Sequence, residues 1–108
     1  MEGMDTFTRI SVHKAHEIIG SGNVTIVDIR DANSFAQGHI TDARSLGDEN
    51  IKAFLNETNK EKPLICYCYH GVSSQRAAGF LVEQGFKQVY SIDGGWELWK
   101  RTYDQTSN

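Results

Sequence analysis

Cysteine is scarce in this chain: two in 108 residues, Cys66 and Cys68, one residue apart. That spacing is too tight for a relaxed disulfide, so a disulfide-stapled scaffold is not expected. Nor is it the C-x-x-C of a thioredoxin-like redox pair. His70 continues the alternation, but no second Cys/His cluster follows to complete a zinc site. No apolar run approaches the roughly 20 residues of a membrane span. The first ten residues lack the basic start and apolar stretch of a secretory signal, so a cytoplasmic protein with no membrane association is expected. Basic charge is in deficit, 11 Lys+Arg against 14 Asp+Glu. That gives no support for nucleic-acid binding, and any anion site must make its own positive field. Proline occurs once, and there is no linker, low-complexity stretch or repeat. One domain is expected over residues 1–108, with its core over about residues 9–103.

What is present centres on Pro63 to Gly85. Leu64 to Tyr67 is a short apolar run, as in a strand buried on both faces. Ser73 to Gln84 reads as a helix, with Ala77 and Leu81, and Ala78 and Val82, each four apart, and Gly85 as terminator. Cys68 opens the turn between them. A thiol there faces the unpaired N–H groups and the positive dipole end of the helix. That setting favours the thiolate and can hold an anion. It points to a reactive cysteine working on an anionic substrate. Cys66 lies inside the strand and reads as structural.

The remaining segments alternate. A strand is expected near Phe7 to Ile10, then a helix capped by Ser11 and stopped at Gly20 and Gly22. Asn23 to Ile29 is β-branched and reads as a second buried strand. Asp31 caps a short helix ending at Gly38, and Ala43 to Leu46 reads as a short strand. A helix starting at Asp48 or Glu49 carries Ile51, Phe54 and Leu55 on one face, and Asn56 to Lys62 reads as loop. Gln88 to Ile92 reads as a strand, and Asp93 caps a last helix with Trp96, Trp99 and Tyr103 on one stripe. A polar, frayed tail is expected from Asp104. This order predicts an α/β fold, with a mostly parallel central sheet and helices on both faces. Ligands of such sheets bind beyond the carboxyl ends of the strands, where Asp28, Arg30 and Cys68 fall.

Three stretches resemble the rhodanese family of thiosulfate sulfurtransferases: V-D-I-R-D-A-N-S-F-A-Q-G-H-I at 27–40, the loop C-Y-H-G-V-S at 68–73, and I-D-G-G-W-E-L-W at 92–99. The resemblance runs from Ile10 to Trp99 and implies a single rhodanese-like domain. It implies that Cys68 takes the outer sulfur of thiosulfate as a persulfide and passes it to cyanide or a thiol acceptor, such as a thioredoxin-like protein. It also implies that Tyr69, His70, Gly71, Val72 and Ser73 form the substrate-binding loop. The residue chemistry agrees, because loop amides suit an anionic persulfide. No organic cofactor and no metal is called for, since sulfur is the group carried.

Other residues keep two readings. His70 either acts as an acid, base or anion-positioning group, or faces solvent. Ser73 and Ser74 are read as helix caps, with a hydroxyl contact to sulfur as the sharper alternative. Asp28 and Arg30 are read as an ion pair bracing the loop, with substrate binding by Arg30 second. Arg76 is expected in solvent, and His39 in structural hydrogen bonds. Gly94 and Gly95 are expected to let backbone approach the loop, Trp99 to be core, and Trp96 to rim the pocket. Phosphatases that resemble this fold use a longer C-x5-R loop. Here Ser74 stands where their arginine would be. A catalytically inactive binding module, the other alternative, would commonly lack the cysteine.

Overall fold

The computed structural model describes residues 6–103, so the expected tail from Asp104 lies outside the described residues. Five strands form one sheet: β1 (Thr8–Ile10), β2 (Thr25–Asp28), β3 (Arg44–Ser45), β4 (Leu64–Tyr67) and β5 (Val89–Ile92). Their order is β1-β5-β4-β2-β3, and every pairing is parallel. Five helices join them: α1 (Val12–Gly20), α2 (Ala32–Gln37), α3 (Ile51–Glu57), α4 (Ser73–Glu83) and α5 (Gly95–Thr102). The alternation predicted from sequence is therefore present, and β4 is the middle strand.

Strand side chains alternate between two cores, as a pleated sheet with both faces covered requires. Ile10, Ile26, Ile65, Tyr67 and Ile92 pack with Val12 and Ala15 of α1 and Trp96 and Trp99 of α5. Val27, Leu64, Cys66 and Val89 face the other way, onto Phe54 of α3 and Ala78 and Leu81 of α4. Cys68 continues the parity of Leu64 and Cys66, so its side chain leaves β4 on the α4 side.

Two helix starts follow the sequence signals. The Ser11 Oγ accepts from the Lys14 amide at 3.0 Å, and the Asp31 Oδ1 accepts from the Ser34 amide at 2.8 Å. Two do not. Helix α3 begins at Ile51 behind Asn50, later than Asp48 or Glu49, and runs on to Glu57. Asn50 spends its side chain on the turn after β3, accepting from the Gly47 amide and donating to the Ser45 carbonyl. Helix α4 has Val72 at its cap position, with no side-chain cap from Ser73 or Ser74. Its fully buried face is Ser74, Ala78 and Leu81, not the two pairs read from sequence. Among the described residues, no helix is long and apolar enough to cross a membrane.

Candidate active site

The missing cap of α4 and the environment of Cys68 are one feature. The Cys68 Sγ accepts from the Ser74 amide at 3.2 Å and from the Gly71 amide at 3.1 Å. Sulfur delivered from the preceding strand thus does for α4 what a capping side chain does elsewhere. The Ser74 Oγ lies 3.3 Å from the same sulfur and 2.8 Å from the Ser91 Oγ of β5. Ser74 and Ser91 are both completely buried.

These donors set the acidity of the thiol. Burial pushes it up, but the Ser74 hydroxyl and the amides of Ser74, Gly71 and His70 more than offset this and hold it below its ordinary value. Cys66, two residues earlier, is the opposite case. Burial, with the nearby charge of Cys68, pushes it up to about 12. Its Sγ lies 3.4 Å from the Ser74 carbonyl, inside the core. Both cysteines are free, and of the two only Cys68 is shifted toward its thiolate. The sign is checkable, because the thiolate is the form that alkylates. In a Cys66→Ala background, the iodoacetamide reaction of folded protein is expected to rise through a lower pH midpoint than that of the same protein in urea. A folded midpoint at or above the unfolded one would contradict this field.

The loop is shaped by where its carbonyls go. The Cys68 carbonyl accepts from the Trp96 amide at 2.8 Å, and the Tyr69 carbonyl from the Glu97 amide at 3.0 Å. Both donors belong to the first turn of α5, whose N–H groups need partners. The Gly71 carbonyl accepts from the Gln75 side chain at 2.8 Å. The contact with α5 leaves no room for side chains. A Cβ on Gly95, where φ is +55°, would lie 2.4 Å from the Cys68 oxygen. One on Gly71, where φ is +88°, would lie 2.7 Å from the Gly94 nitrogen. The close approach to the loop is as expected at Gly95, whereas a Cβ on Gly94 would meet the Leu98 side chain at 2.7 Å instead; the approach fixes the loop backbone with its amides toward the sulfur.

Around this cup, Tyr69 and His70 are exposed, and Val72 is more open than Tyr69, at 73%. Ser73 is exposed as well. The loop set expected from sequence stopped at Ser73, and the structure adds Ser74 and Ser91. Ser74 carried a signal, since it occupies the first turn of the helix facing the thiol. Ser91 is a polar residue in V-Y-S-I whose alternation with Val89 turns it inward. Arg76 is exposed, as expected.

On the other side of β4, Asp28 is completely buried, and its Oδ2 accepts from the Arg30 Nη2 at 2.6 Å. Burial lowers the guanidinium's pKa, but the Asp28 carboxylate more than offsets this and raises it. Arg30 also donates to the Gly38 carbonyl at 2.7 Å and lies 4.8 Å over the Trp96 ring. The ion pair preferred on sequence grounds is present. It ties β2 to the turn after α2 and to α5. The phenol of Tyr67, hydrogen-bonded to Asp28, is pushed up by burial and by that carboxylate. Its oxygen accepts from the Ile40 amide at 3.0 Å. His39 is buried, with its Nδ1 2.8 Å from the Phe35 carbonyl and its ring stacked on Phe35, which is a structural role. Trp99 is core, and Trp96 lines a cavity of about 210 Å³ with Arg30, Ser34, Tyr69 and Lys100.

The chemistry available is that of an activated sulfur nucleophile inside a ring of hydrogen-bond donors. Comparison with known proteins agrees. The family model described as the Rhodanese-like domain matches residues 11–102. The thiosulfate sulfurtransferase GlpE of Stutzerimonas stutzeri (strain A1501) is 51% identical over 100 residues, covering 93% of this chain and 91% of that protein. The protein of the same name from Shewanella oneidensis is 47% identical over 96 residues, covering 89% and 95%. The crystal structure of a rhodanese-like domain protein from Staphylococcus aureus superposes with a TM-score of 0.78 at 25% identity, covering 94% of this chain and 99% of that one.

Proposed function

Because the chain belongs to the rhodanese family, we propose that it is a thiosulfate sulfurtransferase that carries sulfur as a persulfide on Cys68. The observation that supports this most is the Cys68 Sγ held by two amides and a hydroxyl, with its acidity raised. In the first half-reaction the thiolate attacks the outer sulfur of thiosulfate. An S–S bond to Cys68 forms, the S–S bond of thiosulfate breaks, and its electron pair leaves with sulfite. In the second, cyanide attacks the outer sulfur of the persulfide. A C–S bond forms, the persulfide bond breaks, and its electron pair returns to the Cys68 Sγ as thiocyanate departs. Neither half-reaction needs a proton, an oxidant or a cofactor.

Each loop residue has a part in this reading. The amides of His70, Gly71 and Ser74 stabilise negative charge on sulfur as an oxyanion hole does. Tyr69, Val72 and Ser73 form the rim that the substrate meets. His70 adds a nearby donor when protonated. A protein or small-molecule thiol, including a thioredoxin-like acceptor, can replace cyanide, because it too attacks the outer sulfur as an anion. A thiolate carrier of this kind works in a reducing compartment, so the cytoplasm is the site we propose.

The decisive experiment runs two assays on one preparation. Thiosulfate with cyanide should give thiocyanate, and an aryl phosphate should give negligible phosphate release. A phosphoryl group has three outer oxygens and usually needs a bidentate arginine. The matching position here is Ser74, already committed to the sulfur. Cys68-dependent phosphate release without thiocyanate would overturn the proposal.

A further inference from the structure

We propose that Ser91 is a positioning residue for the Cys68 sulfur, acting through the hydroxyl of Ser74. The inference rests on Cys68 being the sulfur carrier. Ser91 is on β5, opposite Cys66 in the β4–β5 register. It lies on the sheet face where Val27, Leu64, Cys66 and Val89 form an apolar core, and it is completely buried. A hydroxyl placed there is costly unless it is hydrogen-bonded. Its partner is the Ser74 Oγ at 2.8 Å, itself completely buried and 3.3 Å from the Cys68 Sγ. The three groups make a short chain from the floor of the sheet to the reacting atom.

Each serine brings one proton, and that count gives the chain a direction. With Cys68 as a thiol, S–H donates to Ser74 and Ser74 donates to Ser91. The Ser91 proton then has no acceptor in the chain. With Cys68 as a thiolate, Ser91 donates to Ser74 and Ser74 donates to sulfur, so every proton is used. The chain therefore favours the anion, and Ser91 keeps the Ser74 proton pointed at it. The same orientation serves the second half-reaction, where the electron pair of the breaking persulfide bond returns to the Sγ.

No charged side chain takes this role. The titratable groups on the elements that border the sulfur include Cys66 and Tyr67 on β4, Tyr69 and His70 on the loop, Arg76 and Glu83 on α4, Tyr90 on β5 with Asp93 just after it, and Glu97 in the first turn of α5. Asp28 and Arg30, beyond β2, are paired with each other. Among the described residues, none of these side chains is hydrogen-bonded to the Sγ, and the Ser74 hydroxyl is the side chain that reaches it.

The test is the pH dependence of Cys68 alkylation by iodoacetamide in the Cys66→Ala background. Ser91→Ala should raise the midpoint by roughly 0.5–1 pH unit, the size of one ordinary hydrogen bond between neutral groups. Single-turnover persulfide formation at neutral pH should slow about 3–10-fold and recover at alkaline pH, as that shift requires. Ser91→Thr should keep the native midpoint and Ser91→Val should not. That isosteric pair carries the test if Ser91→Ala does not fold. In a Ser74→Ala background, changing Ser91 should have no further effect. An unchanged midpoint in folded Ser91→Ala or Ser91→Val overturns the inference. So does a shift that persists without the Ser74 hydroxyl. Alkylation reads the thiolate without sulfur transfer. A shifted midpoint in a protein that forms no thiocyanate would refute the proposed function and leave the Ser91 relay standing.

Discussion

Cys68→Ser is expected to lower thiocyanate formation by at least about 10⁴-fold, as removal of a nucleophile does, while the protein stays folded. The hydroxyl oxygen can still accept the Gly71 and Ser74 amides, so α4 keeps its cap. Stability should change by less than about 1 kcal/mol. The activity disappears because a serine hydroxyl in this field stays protonated, whereas the thiol is already biased toward its anion. Intact mass separates the steps. The native protein incubated with thiosulfate should gain the mass of one sulfur atom and lose it on adding cyanide. Cys68→Ser should gain none. A sulfur mapped to Cys66, or a Cys68→Ser protein that retains turnover, would sink the mechanism.

Arg30→Met should be the most destabilising single change near the site, costing about 3–5 kcal/mol in urea unfolding. Methionine fills part of the space, but it leaves the Asp28 carboxylate completely buried with its counter-charge gone. Adding Asp28→Asn should recover a good part of the loss, because the amide oxygen can still accept from the Arg30-position backbone N–H, now 2.9 Å away. Single and double variants that unfold alike would show that the Gly38 and Trp96 contacts of Arg30, not the charge pair, hold this side of the fold together.

The fold was largely legible because its signals are local. β-branched and apolar runs gave the strands, and Ser11 and Asp31 gave two caps. Asp28 and Arg30 could be paired because two-residue spacing in extended backbone puts them on one side. Cys68 stood out because a thiol at a strand-to-helix turn meets donors wherever the rest of the chain goes. What failed needed tertiary partners. Ser73 and Ser74 looked like caps because a helix start with two serines usually supplies its own acceptor, but here the sulfur was already in place. Asp48 and Glu49 carry the acidic signal of a helix start, but Asn50 closes the turn after β3 and the helix begins behind it, at Ile51. Ser74 and Ser91 are 17 residues apart and meet only once β5 lies beside β4. No spacing rule brings them together.

The α5 contact divides the labour within the loop. The carbonyls of Cys68 and Tyr69 are held by amides of α5, and that of Gly71 by Gln75. The curvature that turns the amides inward is therefore imposed from outside the loop. The exposed side chains of Tyr69, His70 and Val72 contribute little to it. Those three positions are free to be exchanged without dismantling the anion cradle beneath them. The cradle is a reusable part made of main chain, and under the proposed function its three outward side chains are the replaceable face that an incoming sulfur acceptor would meet.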